Sequence, residues 1–229
     1  MFKLGEVEIL RVEESHGPGF QPNQLLPDWN AEAIQPHKSW LVPNYYDDVK
    51  DRLISSVHSW VLKTRRHTIL IDTCVGNHKH RPSQPRFHML ERPYMTNLAA
   101  AGIRPEDVDF VLCTHLHVDH VGWNTRLLGG RWVPTFPNAR YLFGRREWEH
   151  WNAEAAADAA SEAGMVMGDS VRPIVDAGLA DLVASDHRLT DEVALEPTPG
   201  HTPGHHSVHI TSAGFEAIIT GDMSHHPVQ

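Results

Sequence analysis

The chain is poor in cysteine, poor in cations and without a long apolar run, and each shortage excludes something. Two cysteines in 229 residues make no disulfide framework. Cys74 and Cys113 each end an apolar run, "TILIDTC" and "DFVLC", so both are expected as buried free thiols. Lys and Arg number 20 against 29 Asp and Glu, a formal charge of −9. That argues against a nucleic-acid partner, whose phosphates call for a basic surface. It also leaves no polybasic anchor for a membrane. No apolar run approaches the ~18 residues of a membrane span. The opening "MFKLGEVEILRVEES" has no cationic segment followed by a long apolar one, so a cytoplasmic location is expected. What the chain has in excess is histidine, 18 in all, the commonest metal ligand at neutral pH.

Length and an apolar content of 41% suit a single domain with a real core. We expect one domain over 1–229, since no linker or low-complexity tract interrupts it. Residues 16–50 ("HGPGFQPNQLLPDWN", "WLVPNYYDD") read as a long irregular arm, of the kind used as a lid or a contact surface. "SSVHSWVLKT" and "HTILIDTCVG" predict a hairpin. "FHMLERPYMTNLAAAGI" has helical spacing interrupted by Pro93 and ends at Gly102. "ARYLFG" predicts a strand, and "RREWEHWNAEAAADAA" a helix with its aromatics on one face. "VRPIVDAGL" predicts another short helix. "EVALEPTPG", "HSVHITSA" and "FEAIITGD" predict three more strands. Strands and helices alternate in some places and strands follow strands in others, which predicts a layered α/β fold with mixed sheets.

Four strand exits carry metal-capable side chains. "HLHVDH" places His115, His117, Asp119 and His120 within six residues after the apolar "FVLC". In extended chain, His115 and His117 share a side, and the next turn can bring Asp119 and His120 to a second point. Imidazole and carboxylate together suit zinc and similar divalent ions. "TPGHTPGHHS" sets His201 between two Pro-Gly turns; His205 and His206 read as structural. "IITGD" ends on Asp222 and "ILIDT" carries Asp72.

Together, "LIDTCVGN", "THLHVDHVG", "TPGHTPGHHSV" and "ITGD" resemble the metallo-β-lactamase superfamily, over roughly residues 55 to 225. Within it they look most like the acyl-homoserine lactonase and methyl-parathion-hydrolase branch. The resemblance implies a four-layer αβ/βα sandwich, two mixed sheets with helices outside. It implies that His115, His117 and His201 hold one metal, that Asp119 and His120 hold a second, and that Asp222 bridges them. Asp72 matches a supporting position that is not a ligand. The implied cofactors are two divalent ions, zinc by default, with Mn2+, Co2+ or Fe2+ also suited. Two departures follow. The family's further downstream histidine has no counterpart before Gln229, seven residues past Asp222. The end of the fold is therefore expected to be missing, or else the second site is weakened or His225 or His226 substitutes. The branch's tyrosine three residues after the bridging aspartate is here His225.

The function this implies is hydrolysis of a lactone or related carboxylic ester by a metal-bridging hydroxide. Asp119 would orient the nucleophile and carry a proton, and His225 would donate to the developing oxyanion. The partner is then a small-molecule substrate. A phosphotriester hydrolase could use the same site, and a non-catalytic metal-binding module is the rival from another class. A di-iron redox protein is disfavoured by His117, a nuclease by the negative charge, and a β-lactamase by the lack of an export signal. The aromatic arm (Phe20, Leu25, Leu26, Trp29, Trp40, Tyr45, Tyr46) could wall an acyl cleft, or could form a homodimer contact or plain packing.

Overall fold

A computed structural model describes residues 2–229. Within the described residues, thirteen strands and seven α-helices follow one another. The strands are β1 (Phe2–Leu4), β2 (Val7–Pro18), β3 (Tyr46–Asp47), β4 (Arg52–Lys63), β5 (Thr68–Ile71), β6 (Phe110–Leu112), β7 (Thr125–Leu128), β8 (Arg131–Pro134), β9 (Arg140–Gly144), β10 (Ala180–Val183), β11 (Val193–Pro197), β12 (His206–Ser212) and β13 (Phe215–Ile219). The helices are α1 (Pro22–Leu25), α2 (Ala31–Ile34), α3 (Lys38–Leu41), α4 (Tyr94–Ala100), α5 (Arg145–Ala157), α6 (Glu162–Val166) and α7 (Arg172–Asp176). A π-helical turn, Met167–Val171, joins α6 to α7.

The chain forms two compact units. The larger comprises residues 1–14 and 58–223. Its main sheet runs in the order β1-β2-β4-β5-β6-β9-β10. The pairs β5–β6, β6–β9 and β9–β10 are parallel, while β4–β5 is an antiparallel hairpin as expected. A second sheet, β11-β12-β13, is antiparallel. The core joins residues of both sheets: Leu62, Ile69, Ile71, Leu112 and Leu142 from the first pack with Val193, Leu195, Val208 and Ile210 from the second. Burying one apolar face of each sheet against the other is what drives this layering. Cys74 and Cys113 are free and buried, and burial pushes both thiols well above their ordinary pKa.

Two sequence expectations need correction. Pro93 does not interrupt a helix but starts one: α4 begins at Tyr94, and Phe87–Glu91 precede it without helix. Proline is tolerated at a helix start because the N–H it lacks has no partner there. Residues 16–50 are not an irregular arm either. The smaller unit, residues 15–57 and 224–229, carries α1, α2, α3 and β3. It has its own core of Ile34, Leu41, Tyr46 and Leu53, with Leu25, Leu26, Trp29 and Val228 packed on it. The Trp29 and Tyr46 rings lie 5.7 Å apart. Among the described residues, no helix is long and apolar enough to cross a membrane.

Candidate metal centre

β5 and β6 are parallel neighbours, so their carboxyl ends deliver Asp72 and the 113–122 loop to one edge of the main sheet. Asp72 ties that loop down. Its Oδ1 accepts from the Thr114 N–H at 2.8 Å, and its Oδ2 from the Thr114 hydroxyl at 2.9 Å and from His120 Nδ1 at 2.9 Å. The loop closes against the chain after Asp72: Gly122 N–H donates to the Cys74 carbonyl at 2.7 Å. A side chain at Gly122 would overlap the Val75 carbonyl, which is why glycine follows the "HVDHV" run. Buried Glu14 holds the same junction, accepting from Val75 N and Gly76 N at 3.0 Å each and from Trp123 Nε1 at 2.7 Å.

The second sheet supplies the rest. His201 lies in the loop between β11 and β12, and Asp222 just beyond β13. His201 Nε2 and His117 Nδ1 are 2.8 Å apart, and His117 Nδ1 and His115 Nε2 are 3.1 Å apart. Three ring nitrogens thus lie close together. The carboxylate of Asp222 lies 3.3 Å from His120 Nε2, 3.5 Å from His201 Nε2 and 3.9 Å from His115 Nε2. Within the larger unit, two sets of donor atoms each fall within 4.8 Å: His115, His117 and His201, and His115, His120 and Asp222. Asp119 sits beside them, its Oδ1 3.8 Å from His120 Nε2. His225 is exposed in the smaller unit, with its backbone N–H donating to Gln229. His226 belongs to that unit's own packing: it is buried and its Nε2 bonds the Tyr45 carbonyl at 2.9 Å.

The electrostatics divide the centre. Burial lowers the pKa of His115 well below the ordinary imidazole value, and burial lowers that of His117 against the pull of Asp119. Neutral imidazoles present lone pairs, which is what a metal takes. Burial also opposes charge on His120, but Asp72, Asp222 and Asp119 outweigh it and hold its pKa well above the ordinary value. That side of the centre therefore attracts positive charge. A cluster of neutral imidazole nitrogens beside carboxylates is a donor set that fits zinc or another borderline divalent ion.

Several positioning groups gave no clear sequence signal. His205 Nδ1 donates toward the Thr198 carbonyl at 3.1 Å, and its Nε2 accepts the Asp222 N–H at 3.1 Å. Glu147, on α5, contacts both metal-capable loops. Only the spacing Glu147–Trp151, one helical turn, hinted at a linked pair. Beside His117 opens a cavity of about 110 Å³. Leu116, Val118, Trp151, Val166 and Met167 give it apolar walls, and the Trp151 ring stands 5.2 Å from that of His117.

Comparison with known proteins bears on the fold and the family. The model of the family described as "Metallo-beta-lactamase superfamily" matches residues 54–229. An N-acyl homoserine lactonase of Bacillus sp. is 27% identical over 181 residues, covering 74% of this chain and 64% of that protein. The chain thus spans under two thirds of the length of such relatives. The N-acyl homoserine lactonase AttM of Azorhizobium caulinodans is 32% identical over 120 residues, 49% of this chain and 40% of its own. Among solved structures, the hydrolase AbOPH of the beta lactamase superfamily superposes with a TM-score of 0.76 at 24% identity, over 96% of this chain and 72% of its own. AidC, a dizinc quorum-quenching lactonase, does so with a TM-score of 0.67 at 21% identity, over 95% and 71%. These structural likenesses show the shared fold.

Proposed function

The chain belongs to the metallo-β-lactamase superfamily, and on that footing we propose that it is a dinuclear metal-dependent hydrolase of a lactone or related carboxylic ester. The observation that carries this reading is a pair of overlapping donor sets, His115–His117–His201 and His115–His120–Asp222, beside an apolar cavity. His115, His117 and His201 would hold one divalent ion. His120 and Asp119 would hold a second, and Asp222 would face both. When bound there, such ions lower the pKa of water and polarise an ester carbonyl.

The chain's own residues do the remainder. Asp119, with its side chain 27% exposed, would accept a proton from the attacking water and pass it to the leaving oxygen. Asp72 fixes the tautomer of His120 by taking its Nδ1–H. The cavity lined by Trp151, Val166 and Met167 excludes water on one side of His117 and suits an acyl chain. His225, three residues past Asp222 in the chain, is the candidate donor to the substrate oxygen. The names of the lactonase relatives support lactones as the first substrates to test.

The experiment is turnover of N-acyl homoserine lactones and of a phosphotriester by protein stripped with chelator and then reloaded with Zn2+. Lactone opening that appears only after reloading is the expected result. Preference for the phosphotriester would move the reading to organophosphate hydrolysis. Metal uptake without any hydrolysis would leave a metal-binding module.

A further inference from the structure

Glu147 is a fully buried carboxylate in the first turn of α5, and no part of the reaction above uses it. Among the described residues it has no ion-pair partner; three N–H groups take that place. Its Oε2 accepts from the Leu116 backbone N–H at 3.1 Å and from Trp151 Nε1 at 2.8 Å. Its Oε1 accepts from the Gly204 backbone N–H at 2.7 Å. Leu116 lies between His115 and His117, and Gly204 lies three residues after His201. One carboxylate thus spans two loops that come from different sheets. The fit is close enough to require glycine: a Cβ at Gly204 would stand 2.6 Å from the Glu147 nitrogen.

The third bond reaches the cavity. Trp151 sits one turn along α5, and its indole faces His117 and walls the pocket. With its N–H held by Glu147, the ring can take few other orientations.

We propose that Glu147 is a positioning residue for the metal centre: it holds the loops of His115, His117 and His201 in register and orients Trp151 against His117. This rests on the metal-binding reading above. The physical reason is pre-organisation. Two loops free of each other would have to lose conformational entropy when an ion binds. A buried anion with three N–H donors pays that cost during folding, and partners behind the ligands of this kind carry about 10- to 100-fold in metal affinity.

The test uses the metal-free full chain titrated with Co2+, read by visible absorption. Glu147→Gln puts an NH2 where one of the two loop N–H groups needs an acceptor. It is expected to weaken Co2+ binding about 10- to 100-fold and to change the Co2+ spectrum. Asp169→Asn is the control, because it disrupts a buried ion pair with Arg81 that touches neither loop. It is expected to lower thermal stability with Co2+ affinity retained. Equal affinity for Glu147→Gln and wild type, or equal losses in both variants, would overturn the proposal. If Glu147→Gln does not fold, hydrogen exchange in the metal-free wild type decides. The Leu116 and Gly204 amides are expected to be protected like the core strands, and rapid exchange at either would overturn it. Failure of the wild type to take up Co2+ at all would instead sink the metal-centre reading, and this proposal with it.

Discussion

His120 donates its Nδ1–H to Asp72 at 2.9 Å, and this turns its Nε2 toward Asp222, 3.3 Å away. The contact joins the end of β5 to the loop after β6 and selects which nitrogen faces the centre. Asp72 is therefore a tautomer-setting group. Asp72→Asn cannot accept from the Thr114 amide on one atom and from both the Thr114 hydroxyl and His120 on the other. We expect bound metal to fall from about two equivalents per chain toward one, with second-site affinity reduced ~10- to 100-fold. Elemental analysis after dialysis checks this; two retained equivalents would show that Asp72 does not govern the second site.

Asp119 has a different part. Its side chain is partly exposed, with Oδ1 3.8 Å from His120 Nε2, so its loss should cost the fold little. Asp119→Ala is expected to lower kcat by at least ~100-fold with an unchanged circular dichroism spectrum. Unimpaired hydrolysis by that variant would refute its role in proton transfer.

Lys79 makes stability depend on pH. It is fully buried, donates to Thr125 Oγ1 at 2.6 Å and to the Asp169 carbonyl at 3.0 Å, and lies 3.7 Å from the Trp132 ring centre. Asp169 is already paired with both guanidinium nitrogens of Arg81, so a second buried cation is left undercompensated. Burial lowers the Lys79 pKa from 10.5 to about 7. Below pH 7 both folded and unfolded chains hold the proton, and the cost of burying the charge is fully present. Between about 7 and 10.5 only the unfolded chain holds it, so stability rises with pH by about 1.4 kcal/mol per pH unit from this group. Urea unfolding at pH 6 to 9 is expected to show that rise in the wild type and to lack it in Lys79→Met. Parallel pH profiles for the two would contradict it.

The cavity beside His117 predicts chain-length selectivity. Val166→Phe fills it and should lower kcat/KM for long-chain acyl lactones by about 10-fold or more relative to short-chain ones. An unchanged chain-length profile would place the acyl chain elsewhere.

The metal-capable residues stood out in the sequence because they are bunched at strand exits: His115 to His120 lie in one loop, and Asp72 and Asp222 close apolar runs. The hairpin β4–β5 and the meander β11–β13 were legible because their periodicity is local. The β7–β8 hairpin and β10 were not anticipated, since each of their strands is only four residues long, too short for a clear period. Residues 16–50 misled because Pro, Asn and Asp there mark turns, while the small core of Leu41, Tyr46 and Leu53 forms only when distant positions meet.

The sequence by itself determined which side chains could bind metal and the order in which strands present them, because ligand chemistry and strand exits are local properties. Only the tertiary structure decided that His201 comes within 2.8 Å of His117, 84 residues earlier, and that Glu147 would serve both loops. Those distances arise from two sheets burying their apolar faces against each other, and no local pattern encodes where such faces bring their edges together.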